Sequence, residues 1–232
     1  MKIILSLLIS IIGIVSAYAD TIPNFKFPNN HIQIGLTSIN FMDGYGYNTS
    51  RIYDKEIRFG DLCLSYSRHF NSKYFTTFTY SRYSRNNYMR IRNQSTYLNL
   101  NKGDIIRKSS NYFNLKIGIL HTLISKKNLI GFIKPNIDLL YGYGTDHIFL
   151  APYPGGFDFA SVGVGTKGFG IGIGTEIGLI AYKHFSLSAS LNYNYIFERG
   201  SYEELSPPNP EHYKYTPSRN ILIFQPKIGF LF

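Results

Sequence analysis

Phe185-Ser186-Leu187-Ser188-Ala189-Ser190-Leu191-Asn192-Tyr193-Asn194-Tyr195-Ile196-Phe197 is the stretch on which the reading of the fold turns. Every second residue from Phe185 is apolar or aromatic, and the residues between are mostly Ser and Asn. A period of two puts these sets on opposite faces of a strand, whereas a helix would mix them. The run also exceeds the roughly 5–6 residues of an ordinary globular strand. A tilted strand crossing a bilayer needs about 9–11 residues, with apolar side chains outward and polar or small ones inward.

The same dyad recurs along the chain. Phe113, Leu115, Ile117 and Ile119 alternate with Asn114, Lys116 and Gly118. Ile133, Pro135, Ile137, Leu139, Tyr141 and Tyr143 alternate with Lys134, Asn136 and Asp138. Phe169, Ile171, Ile173 and Ile177 face away from Gly170, Gly172, Gly174, Glu176 and Gly178. Near the C-terminus Leu222, Phe224, Pro226, Ile228, Phe230 and Phe232 are set against Gln225, Lys227 and Gly229. Segments 31–42, 57–70 and 74–83 carry the pattern more weakly. In 57–70 the apolar parity switches between Phe59 and Leu62, which predicts a bulge near Gly60.

Together these segments predict an all-β, eight-stranded, antiparallel up-and-down transmembrane barrel. Its turns after the second, fourth and sixth strands are short: 71–73, 125–128 and 182–184. Its other connections, about 43–56, 84–111, 145–167 and 198–218, are long. Short turns at one end and long loops at the other are the asymmetry of an outer-membrane barrel, and an even strand count puts both termini at the periplasmic end. Ten strands remain an alternative, with 89–92 and 96–100 pairing as an extra hairpin. A soluble ligand-binding barrel is the other one, but it would turn its apolar face inward. Here the face opposite the apolar one carries Lys116, Lys134, Asp138, Glu176 and Lys227, charges of both signs that suit a narrow polar lumen.

The N-terminus predicts export. Lys2 precedes an apolar run from Ile3 to Val15, and Ala17-Tyr18-Ala19 has the small-x-small pattern of a signal-peptidase site. Residues 1–19 are expected to be removed, leaving a barrel over 20–232 with a short periplasmic lead-in. The single cysteine, Cys63, excludes an internal disulfide framework. The net charge of +10 falls to +9 without Lys2. On an exported chain, that excess points to lipopolysaccharide or another surface polyanion rather than nucleic acid.

With these features the mature chain resembles the small bacterial outer-membrane β-barrel family, the OmpA/OmpX-type membrane domains. The ending Pro226-Lys227-Ile228-Gly229-Phe230-Leu231-Phe232 is similar to the signal read by the barrel-assembly machinery, with Phe230 and Phe232 as its aromatic positions. The resemblance implies a Gram-negative outer-membrane protein; no cofactor is expected, and a monomer is expected although the sequence does not fix the oligomeric state. It says little about activity, because one fold hosts many functions.

Four motifs invite chemistry. Gly163-Val164-Gly165-Thr166-Lys167-Gly168 matches G-x-G-x-x-G, but the strand-periodic Phe169 to Gly174 follows where a dinucleotide site needs a helix. His184, Ser186 and Glu198 resemble in type and spacing the triad of outer-membrane lipid A deacylases. Such a triad acts through a carboxylate that orients the imidazole and an imidazole that activates the serine. On one continuous strand, though, His184 and Glu198 would lie roughly 45 Å apart at about 3.3 Å per residue. The preferred reading is therefore a non-enzymatic barrel with a structural, adhesion or lipopolysaccharide-contact role through its long surface loops, with a narrow channel or small-ligand binder and a lipid A acyl hydrolase as the alternatives. Asp146-His147 and Glu203-Glu204 offer no convergent set of three ligands, so no metal is expected. Finally, Arg82, Arg85, Arg90 and Arg92 interleave with Tyr80, Tyr83 and Tyr88, a surface suited to lipid A phosphates.

Overall fold

The computed structural model describes residues 27–41, 61–70, 73–86, 105–126, 128–152, 159–204, 211–215 and 220–232. Within them the regular structure is strand: β1 (Asn30–Phe41), β2 (Asp61–Phe70), β3 (Tyr74–Asn86), β4 (Ile105–Ile119), β5 (His121–Lys126), β6 (Leu129–Pro152), β7 (Phe159–Ala181), β8 (Phe185–Glu204), β9 (Glu211–Tyr215) and β10 (Asn220–Leu231). Eight of these close into an antiparallel ring in the order β10-β1-β2-β3-β4-β6-β7-β8, completed by the β8–β10 pairing. They are the eight segments read from the alternation. β5 continues the line of β4 beside β6, and β9 pairs with the last five residues of β8 outside the ring.

The dyad sorts as the bilayer demands. Along β2, Leu62, Leu64, Tyr66, Arg68 and Phe70 are exposed, while Cys63, Ser65, Ser67 and His69 are buried. Along β8, Phe185, Leu187, Leu191 and Phe197 are exposed, while Ser186, Ser188, Ser190, Asn192 and Asn194 are buried. An apolar outside around a polar inside inverts the water-soluble arrangement, and is stable only where the outside meets hydrocarbon.

Two of the expected long loops are mostly ladder. β6 and β7 stay paired up to Pro152 and Phe159, and β8 extends to Glu204 against β9. Beyond the membrane a strand no longer needs an apolar face, so its side-chain period fades while its backbone hydrogen bonds continue. The dyad therefore marks the membrane-crossing part of a strand rather than its full length. The suggested bulge at Gly60 and the suggested hairpin 89–92/96–100 lie outside the described residues.

Two prolines explain local breaks. Pro has no N–H to donate, so a ladder fails on the side it faces. The β1–β10 pairing skips from Gly35/Lys227 to Ser38/Phe224, around Pro226. The β4–β6 pairing stops at Gly118/Asn136, next to Pro135, and the chain steps through Leu120 into β5. Each break has a glycine where the backbones crowd: a Cβ on Gly35 would lie 2.2 Å from the Pro226 carbonyl oxygen, and one on Gly118 2.0 Å from that of Pro135. At the β7–β8 turn, Tyr182 (φ 51°) and Lys183 (φ 66°) adopt the left-handed conformation that matches a tight hairpin to the strand twist.

Candidate functional site: the barrel interior

The interior is built in three storeys. At the turn end lies an apolar layer of Phe27, Phe75, Leu120, Ile130, Phe132, Ile180 and Leu231. At the hairpin end lies a second, made by Ile39, Tyr83, Tyr112, Leu140, Ile196, Ile221 and Ile223. Between them is a polar storey containing Lys116, Lys134, Asp138, Glu176 and Lys227, each at most 4 % exposed. Phe27 belongs to the lead-in before β1. Its ring packs edge-on against Phe132 (6.1 Å) and His69 (5.5 Å). His69 Nδ1, 2.8 Å from the Pro28 carbonyl oxygen, must donate to it, which holds the lead-in against the ring of strands.

The charges are partnered unequally. Lys227 Nζ lies 2.5 Å from Glu176 Oε2, and Gln33 Nε2 donates to Glu176 Oε1 at 2.9 Å and to Ser188 Oγ at 2.8 Å. Asp138 accepts from Asn114 Nδ2 at 3.0 and 2.8 Å and from Asn194 Nδ2 at 3.2 Å, and stands opposite Lys116 in register. Lys134 stands opposite Glu176, but its Nζ has no hydrogen-bond partner among the described residues and lies over the faces of Phe132 (5.0 Å) and Phe75 (5.4 Å). A desolvated cation–π contact of this kind contributes about 2 kcal/mol. Gln225 Nε2 bridges Thr37 (2.8 Å) and Ser81 (2.9 Å), and Ser65–Thr79 and Ser67–Thr77 pair across β2 and β3. The polar storey is thus cross-linked from wall to wall.

The three residues of the suggested triad do not converge. β8 is unbroken from Phe185 to Glu204, with no register shift against β7, so His184 and Glu198 stand at opposite ends of a continuous stretch. His184 is in the exposed turn, its Nδ1 3.0 Å from the Leu231 carbonyl and its ring stacked on Phe230. Ser186 is buried and meets a different imidazole: His31 Nε2 lies 2.6 Å from Ser186 Oγ. Among the described residues no carboxylate completes that dyad, and His31 Nδ1 has no hydrogen-bond partner. His31 was legible as a lumen residue from its alternation with Ile32 and Ile34, but its pairing across 155 residues was not.

The remaining sequence candidates are spread over the wall. Arg82 falls in β3 as expected and Arg85, in the expected 84–111 connection, also falls in β3; they stand opposite Asn111 and Lys108, and the Arg82 side chain is exposed. Arg90 and Arg92 lie outside the described residues. Phe230 and Phe232 are exposed at the end of the last strand, with ring centroids 6.4 Å apart. Gly163 to Gly168 lie within β7, so no helix follows them. Among the described residues no group of three or more His, Cys, Asp or Glu side chains could hold a metal ion.

No protein-family model matches the chain, and no curated protein sequence matches it. Solved structures do. The outer-membrane protein OprG of Pseudomonas aeruginosa superposes with a TM-score of 0.53 at 10% identity, covering 90% of this chain and 98% of that one. A major outer-membrane protein of Thermus thermophilus gives 0.50 at 10% identity, over 88% and 98% of the two chains. The attachment invasion locus protein Ail of Yersinia pestis gives 0.41 at 11% identity, over 89% and 100%. Closure and all-antiparallel order agree with the first two superpositions: the chain has the fold of the small bacterial outer-membrane β-barrels.

Proposed function

We propose that this protein is a non-conducting, non-enzymatic barrel of the bacterial outer membrane that anchors surface hairpins in contact with lipopolysaccharide. The observation that carries the reading is the three-storey interior, in which apolar layers close both ends of a cross-linked polar middle. Eight strands leave an interior just wide enough for side chains, so solute would have to displace packed groups at two levels. Arg82, Arg85, Arg90 and Arg92 are the proposed basic set toward lipid A phosphates. Planar-bilayer recording of the refolded barrel tests the reading. It predicts no reproducible open level, and a steady unitary conductance in most insertions would overturn it.

A further inference from the structure

The outer wall carries a groove of about 510 Å³ lined by Tyr141, Lys167, Gly168, Phe169 and Phe197. We infer that this groove binds a phosphorylated glycolipid of the outer leaflet, its phosphate on Lys167 and an acyl chain across the aromatic floor. The inference deepens the proposed function and rests on its membrane placement.

The floor is one row of three neighbouring strands, because Tyr141, Phe169 and Phe197 are successive partners across β6, β7 and β8. Tyr141 and Phe169 are 4.9 Å apart between ring centroids, while Phe169 and Phe197 remain 70% and 60% exposed. One row toward the hairpin end, Tyr143 and Lys167 are partners across β6 and β7, a phenol beside a cation. One row toward the turn end they are Leu139, Ile171 and Tyr195. An occupant therefore meets hydrocarbon-facing side chains below, rings at its middle and positive charge above, the polarity of a lipid with an anionic head.

The level agrees. On β7 the outward parity runs Leu179, Ile177, Thr175, Ile173, Ile171, Phe169, Lys167. Leu179 to Phe169 spans roughly 33 Å along the strand at about 3.3 Å per residue. At a tilt of about 40° this is roughly 25 Å of height, the apolar band of an outer-membrane barrel. Lys167, the next outward residue, then falls at the phosphate level. A lysine beside a ring on a half-desolvated wall is well placed to hold an anion, since its ammonium is a point charge for phosphate.

The test is native mass spectrometry of the folded full barrel, titrated with bisphosphorylated hexa-acyl lipid A, the same lipid after phosphatase treatment, phosphatidylethanolamine and inorganic phosphate. The expected result is at least tenfold preference for bisphosphorylated lipid A over its dephosphorylated form, and no displacement by equimolar inorganic phosphate. Lys167→Glu should lower retention at least tenfold and Phe197→Ala several-fold, while Lys126→Glu, in β5 near the turn end, should leave it unchanged. Equal retention of phosphorylated and dephosphorylated lipid, or displacement by inorganic phosphate, would overturn the site. So would equal losses in Lys126→Glu and Lys167→Glu. Gel mobility without boiling verifies that each variant is folded, with Lys167→Gln replacing the glutamate variant if that one does not fold. Cell fractionation separates the two ideas: a barrel absent from the outer membrane defeats the proposed function, whereas a folded outer-membrane barrel indifferent to Lys167 defeats only the groove.

Discussion

The Glu176–Lys227 pair is the sharpest point at which to perturb the interior. Both side chains are buried, their charged atoms are 2.5 Å apart, and Glu176 has a second donor in Gln33. Removing one member of a buried pair strands the other charge and destabilises by roughly 3–5 kcal/mol. The two deletions should differ. After Lys227→Met, Glu176 keeps the Gln33 amide and faces Lys134 across the β6–β7 ladder, so the loss should be near the low end, about 3 kcal/mol. After Glu176→Gln, Lys227 and Lys134 share the storey without that carboxylate, and the loss should approach about 5 kcal/mol. The double variant strands neither member and should lose no more than Glu176→Gln alone, at most about 5 kcal/mol against the sum of about 8, a coupling of about 3 kcal/mol. Because the chain has no Trp, urea unfolding from lipid vesicles is best followed by far-UV circular dichroism and by gel mobility without boiling. Additivity of the two single variants within about 0.5 kcal/mol would refute the reasoning, because the charges would then be independent of each other.

Other expectations follow from the same geometry. Phe132→Ala, in the turn-end layer, should destabilise by about 3–5 kcal/mol, measured by the same unfolding assay, without opening a conductance while the hairpin-end layer stays intact. Ile137→Arg, outward on β6 opposite Ile173 near the middle of the apolar band, should destabilise by about 2–4 kcal/mol in a bilayer, and a neutral result would contradict the assignment of faces. Replacing Tyr182-Lys183 with Asn-Gly should stabilise by about 0.5–1 kcal/mol, because those residues adopt the left-handed region more readily; an unchanged urea midpoint would count against a strained turn. Lipid A from cells expressing the protein should keep all its acyl chains, as mass spectrometry would reveal. Loss of a chain that depends on Ser186 would reinstate the hydrolase reading.

The strand count and the sharing of faces were legible in the sequence because the dyad is a local property. Cβ atoms alternate within one strand whatever its neighbours do, so Lys116, Lys134, Asp138, Glu176 and Lys227 could be grouped as facing away from the apolar set. Gln225 was read on that face as well, and His31 and Gln33, outside that reading, sit on the same parity and were equally available. The apolar layers were harder to see. Ile196, Ile221 and Ile223 lie on the inward parity yet are apolar, so they blurred the alternation at strand ends while forming the hairpin-end layer. The strand extensions beyond the membrane escaped notice for the opposite reason, since their ladder persists after the side-chain pattern ends.

The sequence by itself determined an all-β chain of eight dyad-patterned segments with one polar and one apolar face. Only the tertiary structure decided which groups meet across the lumen. Pairing of β10 with both β1 and β8 brings His31 to Ser186 and Lys227 to Glu176. It likewise leaves Lys134 over Phe75 and Phe132 instead of bonded to the carboxylate it faces in register. The physical reason is that parity is fixed by one strand's backbone, whereas contacts across the barrel depend on the stagger with which all eight strands close.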